Sequence, residues 1–354
     1  MMSLRVAIYT IALNEAQFAD RWAKSTSDAD YRLVADTGSS DTTVSDLRQA
    51  GVVVVPITVR PWRFDDARNA ALALLPSDFD VVVSLDLDEV LVPEWRTRLE
   101  ASWQDCTRLH YGYVWSWAGD KPDVVFHSDK IAGRHTHRWK HPVHEILTPT
   151  IAEQVNTCNE VLIEHRADPS KPRSQYLALL ELAVREDPTD DRSSHYLGRE
   201  YVFRGLYDKA IAEFNRHLSL PKATWDAERA ASMRYLGKCH ERLGDIQTAR
   251  RWFLRATLEA CTREALVDAA TFELRHNRFH AVIDLCERAL EAPKAVGSYL
   301  TERYAVEEGP YDLAAVAYYH LGQRAKAIGL AKIALDFNPL DARLRKNLSM
   351  MESV

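Results

Sequence analysis

Val81-Val82-Val83-Ser84-Leu85-Asp86-Leu87-Asp88-Glu89 decides how the first half of this chain folds. A short apolar run ends abruptly in carboxylates spaced Asp-x-Asp-Glu. An apolar run of that length, bounded by polar residues, reads as a buried strand. The carboxyl end of such a strand is where open α/β sheets receive ligands. Two acids on alternate residues repel each other unless positive charge sits between them. A divalent cation holding a diphosphate meets that need, because Mg²⁺ takes one or two carboxylates together with phosphate oxygens. A solvated acidic turn is the competing reading of the same residues.

Strand and helix signals alternate on the N-terminal side of this run. Leu4 to Ile11 reads as an opening strand and Phe18 to Lys24 as a helix. Tyr31 to Ala35 is a second strand, ending in Asp36-Thr37-Gly38-Ser39-Ser40-Asp41. Asp41 can cap a helix through Leu47, which Gly51 terminates. Val52 to Val55 is a third strand, Asp65 to Leu75 a helix and Val81 to Leu85 the fourth strand. This rhythm predicts a Rossmann-like, mostly parallel sheet with helices on its faces. Leu109 to Trp115, Val124 to Phe126 and Val161 to Ile163 read as shorter strands that add to it in antiparallel fashion.

After Asp168-Pro169-Ser170-Lys171-Pro172 the strand signals stop, and the prolines mark a linker. The expected division is an α/β domain over 1–168 and an all-α domain over 173–354. A pattern repeats in the second part. Leu197-Gly198, Tyr201, Gly205, Ala210 and Phe214 recur as Leu236-Gly237, His240, Gly244, Ala249 and Phe253. Ala315, Tyr318, Gly322, Ala327, Ala331, Ala334 and Pro339 form a further copy, and Ala269, Phe272, Ala281 and Leu285 a weaker one. The pattern resembles the tetratricopeptide repeat, with insertions between copies. Such a stack can bind peptide, pair protomers into a homodimer, or serve only as a scaffold.

The 354 residues suffice for two cores, and 46% hydrophobic with 27% charged residues is ordinary for a soluble protein. A net charge of -6 carries no global nucleic-acid footprint. The five cysteines show no metal-site spacing and fit a reducing compartment. The opening apolar run lacks the core and cleavage site of a signal peptide, and no stretch reaches the ~20 apolar residues of a membrane helix. A cytoplasmic protein with no membrane association is expected.

Four motifs now stand in order: Ile11-Ala12-Leu13-Asn14-Glu15, Asp36 to Thr42, Trp62-Arg63-Phe64-Asp65-Asp66-Ala67-Arg68-Asn69, and Asp86-Leu87-Asp88-Glu89. Together they resemble a family 2 glycosyltransferase of the GT-A fold, over residues 4 to 165. With repeats behind it, the arrangement resembles sublancin-type peptide glycosyltransferases and their bacterial and phage-encoded relatives. The resemblance implies a metal-dependent, inverting transfer of a hexose from a nucleotide sugar, a UDP-hexose by analogy, with Mn²⁺ or Mg²⁺. It makes Ile11, Ala12 and Glu15 a wall for the nucleotide, and gives Asp36 to the base or ribose. Arg68 goes to the base or a phosphate, and Asp86 to ribose or a metal-bound water. Asp88 becomes a metal ligand, with His144, in Trp139…Val143-His144-Glu145, as a further ligand and His165 as its alternative. Glu145 becomes the general base that deprotonates the acceptor, or else a partner that orients His144; Asp120, Asp123 and Asp129 are other candidates. Trp115, Trp117 and Trp139 suggest an acceptor wall, with core packing open for at least one of them. The acceptor implied is a peptide or protein. Hydroxymethylated DNA is an alternative that the basic run Arg134 to His141 keeps open, and a saccharide is another. A catalytically inactive repeat scaffold is the competing class.

Overall fold

A computed structural model describes residues 4–168, 174–293 and 298–353. It forms two compact units, Met1–Ala183 and Val184–Val354. The expected linker prolines, Pro169 and Pro172, lie outside the described residues.

The first unit opens with β1 (Val6–Ala12), α1 (Ala16–Ser25), β2 (Tyr31–Asp36), α2 (Thr43–Gln49), β3 (Val53–Pro56), α3 (Phe64–Ala73) and β4 (Val81–Ser84). Their four strands pair in parallel in the order β3-β2-β1-β4. Alternate residues of these strands serve opposite faces. Ile8, Val34 and Val83 join Phe18, Trp22 and Leu47 in one core cluster. Ala7, Tyr9, Leu33 and Val82 join Ala71, Leu72 and Phe79 in another. Helices therefore cover both faces, which is why the strands read as nearly unbroken apolar runs. Trp22, fully buried, also donates its indole N–H to the Leu85 carbonyl at 3.0 Å. Burying such a side chain contributes about 1.5–3 kcal/mol, and the bond fixes where β4 stops, just before Asp86.

The chain continues through β5 (Glu89–Leu91), α4 (Trp95–Ser102), β6 (Arg108–Ala118), β7 (Lys121–Gly133), β8 (His137–Lys140), β9 (Ile146–Pro149), β10 (Val155–His165) and α5 (Tyr176–Glu186). The full sheet has eight strands in the order β3-β2-β1-β4-β7-β6-β10-β5, and β8 and β9 form a separate ribbon. β7 runs antiparallel to both β4 and β6, while β10 is parallel to β6. The unit is thus a mixed α/β domain. Its second half is longer in strand than the sequence suggests: β7 and β10 extend well beyond Val124–Phe126 and Val161–Ile163.

The second unit is helical: α6 (Asp191–Phe203), α7 (Tyr207–Ser219), α8 (Asp226–Arg242), α9 (Ile246–Glu259), α10 (Arg263–Arg275), α11 (Phe279–Glu291), α12 (Arg303–Val306), α13 (Gly309–His320), α14 (Arg324–Phe337) and α15 (Ala342–Glu352). These are TPR-like helix pairs. A Cβ on Gly198 would meet the Phe214 ring at 2.6 Å, and one on Gly237 would meet Phe253 at 2.9 Å. The missing side chain lets a ring insert between paired helices. Gly205, Gly244 and Gly322 turn the chain between partners with φ of 71°, 84° and 74°. In the weak copy Asn277 makes the same turn at φ 58°, since asparagine tolerates the left-handed region better than most residues.

Candidate active site

The carboxyl ends of β1, β2 and β4 bring three of the four motifs to one sheet edge. Ala12 lies in register with Asp36, and Leu85 N donates to the Tyr9 carbonyl at 3.1 Å. Beyond Ala12, Asn14 adopts φ 54° and its side-chain oxygen accepts from Ser40 N at 2.7 Å. Asp41 accepts from Ala16 N at 3.2 Å and from Thr43 N at 2.9 Å. It therefore binds the first N–H of both α1 and α2, while the N-cap position of α2 itself falls to Thr42, one residue later than expected. Glu15 is buried, with its backbone N–H on Thr43 Oγ1 at 2.7 Å. Asp36 accepts from Gly38 N at 3.1 Å and Ser39 N at 3.2 Å, so its carboxylate shapes its own turn.

Arg68 is the hub. It sits on α3 at 7% exposure. Its Nη1 and Nη2 bind Asp86 Oδ1 and Oδ2 at 2.7 and 3.2 Å, and its Nε binds Glu145 Oε1 at 2.5 Å. The planar guanidinium fork suits such two-oxygen binding. Its Cζ also stands 5.0 Å from the centre of the Trp139 ring. Asp65, one turn earlier on α3, is taken by Arg63 at 2.9 Å. Asn69 has a different task. It exchanges two hydrogen bonds with the Trp139 backbone, at 2.9 and 3.0 Å, and clamps β8 to α3. Trp139 is 2% exposed and donates to Tyr9 Oη at 2.7 Å, which makes it a core residue.

The positive charge demanded by Asp-x-Asp-Glu comes in part from a residue the sequence reading missed. Lys130, on β7, lies 3.1 Å from Asp86 Oδ2 and 3.0 Å from Glu89 Oε1. Burial disfavours its charged form, but Asp86 and Glu89 outweigh this and hold its pKa above the ordinary value. Burial likewise opposes ionisation of Asp86, and Arg68 and Lys130 overcome it, holding the carboxyl well below its usual range. Glu89, 1% exposed, also accepts from Tyr113 Oη at 2.6 Å and from Asp86 N at 2.9 Å. Nothing in a single β-strand of alternating residues marks Lys130 as part of this cage; only the β4–β7 pairing brings it there.

Asp88 faces His165. Their Oδ2 and Nε2 atoms are 3.7 Å apart, and the Arg166 backbone N–H donates to the Asp88 carbonyl at 2.8 Å. His165 Nδ1 lies 3.2 Å from the Trp115 carbonyl, which can only accept, so that nitrogen carries a proton. Burial lowers the imidazole's affinity for a second proton, and Asp88 outweighs it, raising the pKa. The ring stacks on Trp115 at 4.8 Å and 25°. Trp115 is 49% exposed, and Trp117 packs under Arg166 at 3.4 Å. His144 adopts φ 50° and meets Tyr176 edge-on at 5.6 Å. Of the other acids considered, Asp129 binds Arg108 at 2.6 Å, Asp123 accepts from Ser116 at 3.0 Å, and Asp120 is exposed at the β6–β7 turn.

The structure thus unites Arg68, Asp86 and Glu145, and pairs Asp88 with His165. Among the described residues no group of three or more His, Cys, Asp or Glu side chains is arranged to hold a metal ion. Arg21 adds an unsatisfied feature nearby. Its Nε and Nη2 are buried with no hydrogen-bond partner among the described residues, and it lies within electrostatic reach of Asp88 and Arg166. No helix among those residues is long and apolar enough to cross a membrane.

No family model matches this sequence, and no curated protein matches it. Several solved structures are similar to about half of the chain. The yeast Tom70 structure is 16% identical over 52% of this chain and 37% of its own, with a TM-score of 0.40. The Cut9–Hcn1 hetero-tetramer of the APC/C is 15% identical over 50% of this chain and 32% of its own, also at 0.40. YrrB, a TPR protein described as having an unusual peptide-binding site, is 18% identical over 50% of this chain and 82% of its own, at 0.37. The chain therefore spans only about a third of the length of the first two.

Proposed function

We propose that the first unit is a GT-A, family 2 type glycosyltransferase, metal-dependent and inverting, that moves a hexose from a UDP-sugar to a peptide or protein. The observation that carries this reading is the Arg68 hub, which ties Asp86 and Glu145 together at the carboxyl edge of parallel strands. Asp88 stands two residues along the chain from Asp86. Asp88 and His165 are the donors that fit a divalent cation. The Nδ1 proton of His165 is spent on a backbone carbonyl, which leaves Nε2 as the ligating atom. Two protein donors suit Mg²⁺ or Mn²⁺ only if diphosphate oxygens complete the shell. Bound there, the cation would neutralise the departing diphosphate. Arg21, with its unsatisfied nitrogens, supplies positive charge on the same side. Glu145, with Oε1 held by Arg68, keeps Oε2 to accept the acceptor's proton. His165 replaces His144 in this assignment because of its distance to Asp88. The exposed Trp115 ring, stacked on His165, offers a face for the sugar.

Asp88→Ala tests the reading. The native protein should be stabilised against heat by UDP with Mn²⁺, and should hydrolyse or transfer from one member of a panel of nucleotide sugars. The variant should keep its melting temperature without ligand, lose the stabilisation, and lose more than about tenfold in rate, or ~1.4 kcal/mol. EDTA should reproduce that loss. An unchanged rate would sink the metal assignment.

A second reading, an inactive transferase domain carrying a repeat scaffold, has one observation in its favour. Asp86 is already engaged through both oxygens by Arg68 and Lys130. A protein that neither binds nor turns over any nucleotide sugar in the panel would establish it.

A further inference from the structure

The insertion between α11 and α13 lies along the inner side of the repeat stack. The first helices of successive pairs, α6, α8, α10 and α13, approach one another more closely than the second helices, α7, α9, α11 and α14, do. A stack built that way curves with its first helices inside. Residues 298–304 run across those helices. Tyr299 stacks on Tyr196 of α6 at 5.7 Å and meets Trp225, at the start of α8, edge-on at the same distance. Its hydroxyl donates to Glu228 Oε2 on α8. Glu302 accepts from Arg234 Nη2, also on α8, and its backbone N–H donates to Glu264 Oε1 on α10 at 3.4 Å. Tyr304 Oη donates to Asp312 on α13 at 2.7 Å.

The insertion has two parts. Ala305 is 2% exposed and sits in a core cluster with Leu266 and Leu313, and Arg263 of α10 donates to the Val306 carbonyl at 2.9 Å. By contrast, none of Ser298, Tyr299, Leu300, Thr301 and Glu302 is buried. Ser298 to Thr301 close on themselves as a turn. Ser298 N donates to Thr301 Oγ1 at 2.9 Å, and Thr301 N to the Ser298 carbonyl at 3.0 Å. The charged groups that this part touches are buried, yet they do not depend on it. Glu228 has the His217 imidazole at 3.3 Å, and Arg234 has Asp268 at 2.7 Å. Glu264 lies in the first turn of α10, where the positive helix end favours a carboxylate. Breaking a buried pair is costly when it leaves one charge uncompensated. Residues 298–302 can leave without doing so.

We propose that residues 298–302 are a detachable arm, an autoinhibitory contact that closes the inner face of α6 and α8 from within the same chain. Docked, the arm engages Tyr196, Glu228 and Arg234 in cis. Anything else that uses this face must first displace it. The apparent affinity of such a competitor falls by the fraction of molecules whose arm is open. A segment with few buried contacts opens locally, below the cost of global unfolding, while Ala305 and Val306 keep the base of the arm in place. The rival account makes 298–302 a fixed part of the repeats, which opens only when the helices do. The proposal does not depend on glycosyl transfer, and its test reads exchange and binding alone.

Native-state hydrogen exchange of the full chain is the first test. The Thr301 and Glu302 amides should exchange at least about a hundredfold faster than interior amides of α8 and α10, at a rate unmoved by low urea. Exchange in step with α8 would make the segment integral to the repeats and overturn the proposal. The second test uses the full chain carrying Tyr299→Ala with Glu302→Ala, and a dye-labelled peptide of residues 298–307 as a probe of the open face. The variant should melt in one cooperative transition, as the native chain does. By fluorescence anisotropy it should bind the probe at least about tenfold more tightly than the native chain, whose own arm competes. A scrambled peptide should bind neither. Equal affinity of the native chain and the variant, no binding to the variant, or equal binding of the scrambled peptide would each overturn the proposal. The exchange measurement needs no variant and decides the matter even if the double substitution prevents folding.

Discussion

In the α/β unit Arg68 holds carboxylates 18 and 77 residues away in sequence. In the repeats Arg204, Arg216 and Arg303 hold carboxylates three or four residues away, and Arg234 reaches Asp268 on the next helix pair, with Glu302 as its one distant partner. The first pattern exists only because distant segments meet at one sheet edge. Apart from the Arg234–Glu302 pair, the second follows from helical spacing and nearest-neighbour stacking. The contrast separates two uses of buried charge. Long-range convergence builds a place where chemistry can happen. Local pairing dresses a scaffold.

The sharpest way to break that comparison is Arg68→Ala. It would leave Asp86 and Glu145 largely buried without their cation, with Lys130 alone opposite Asp86. Breaking a buried pair from one side costs about 3–5 kcal/mol, and urea unfolding of the full chain should show a loss of that size in the α/β unit. A loss under about 1 kcal/mol, the range of exposed pairs, would mean that the hub is solvated and no different in kind from Arg204–Glu200.

Acid should reveal the other unit. His195 is fully buried, with Nδ1 on Ser232 Oγ at 2.7 Å, and burial pushes its pKa down from 6.5 to about 3. Burial opposes ionisation of Glu228 as well, but the hydrogen bond from His217 and the nearby histidines bring it down to about 2. Both groups bind protons more readily when unfolded. Stability is then full above pH 6.5 and falls as the pH drops, first through His195 and below 4.5 through Glu228 as well. The slope from one such group is about 1.4 kcal/mol per pH unit. Hydrogen exchange of α6 and α8 amides between pH 6.5 and 4.5 should show it, and His195→Asn should flatten it. A slope unchanged by that substitution would place the acid sensitivity elsewhere.

The smallest effects compare two glycines. Gly198→Ala forces a methyl into the Phe214 ring and should destabilise by about 1–3 kcal/mol. Gly329, within α14, has nothing within 4 Å of its missing Cβ. Gly329→Ala should stabilise by about 0.5–1 kcal/mol through helix propensity alone. Chemical denaturation of both variants measures the pair, and equal signs would refute the packing account.

The legibility of the chain follows the same division. The parallel strands and the repeats were readable because each rests on local periodicity, down to the glycine turns at 205, 244 and 322. The aspartates after β4 were readable because a carboxylate pair at a strand end is unusual chemistry. Lys130 was not, because its meaning depends on β7 pairing with β4. His165 was ranked below His144 because the residues around His144 formed a motif. The antiparallel register that sets His165 opposite Glu89 on β5 leaves no trace in local sequence. Of the two roles open to Trp139, acceptor wall or core, the structure takes the core, where Asn69 clamps its backbone against α3.

The ring-into-gap packing of Gly198 and Phe214 also restricts how these repeats can drift over evolutionary time. Neither partner can change alone without either a clash or a void, so each fitness step at one position depends on the other. The remaining copies display a way through. Ala270 and Cys286 share one cluster at the equivalent positions, and Ala315 and Ala331 share another. Shrinking the ring first opens room, and the glycine can then gain its methyl. Homologues of this chain should therefore show coupled substitutions at such pairs, with the smaller residue always appearing opposite the larger gain.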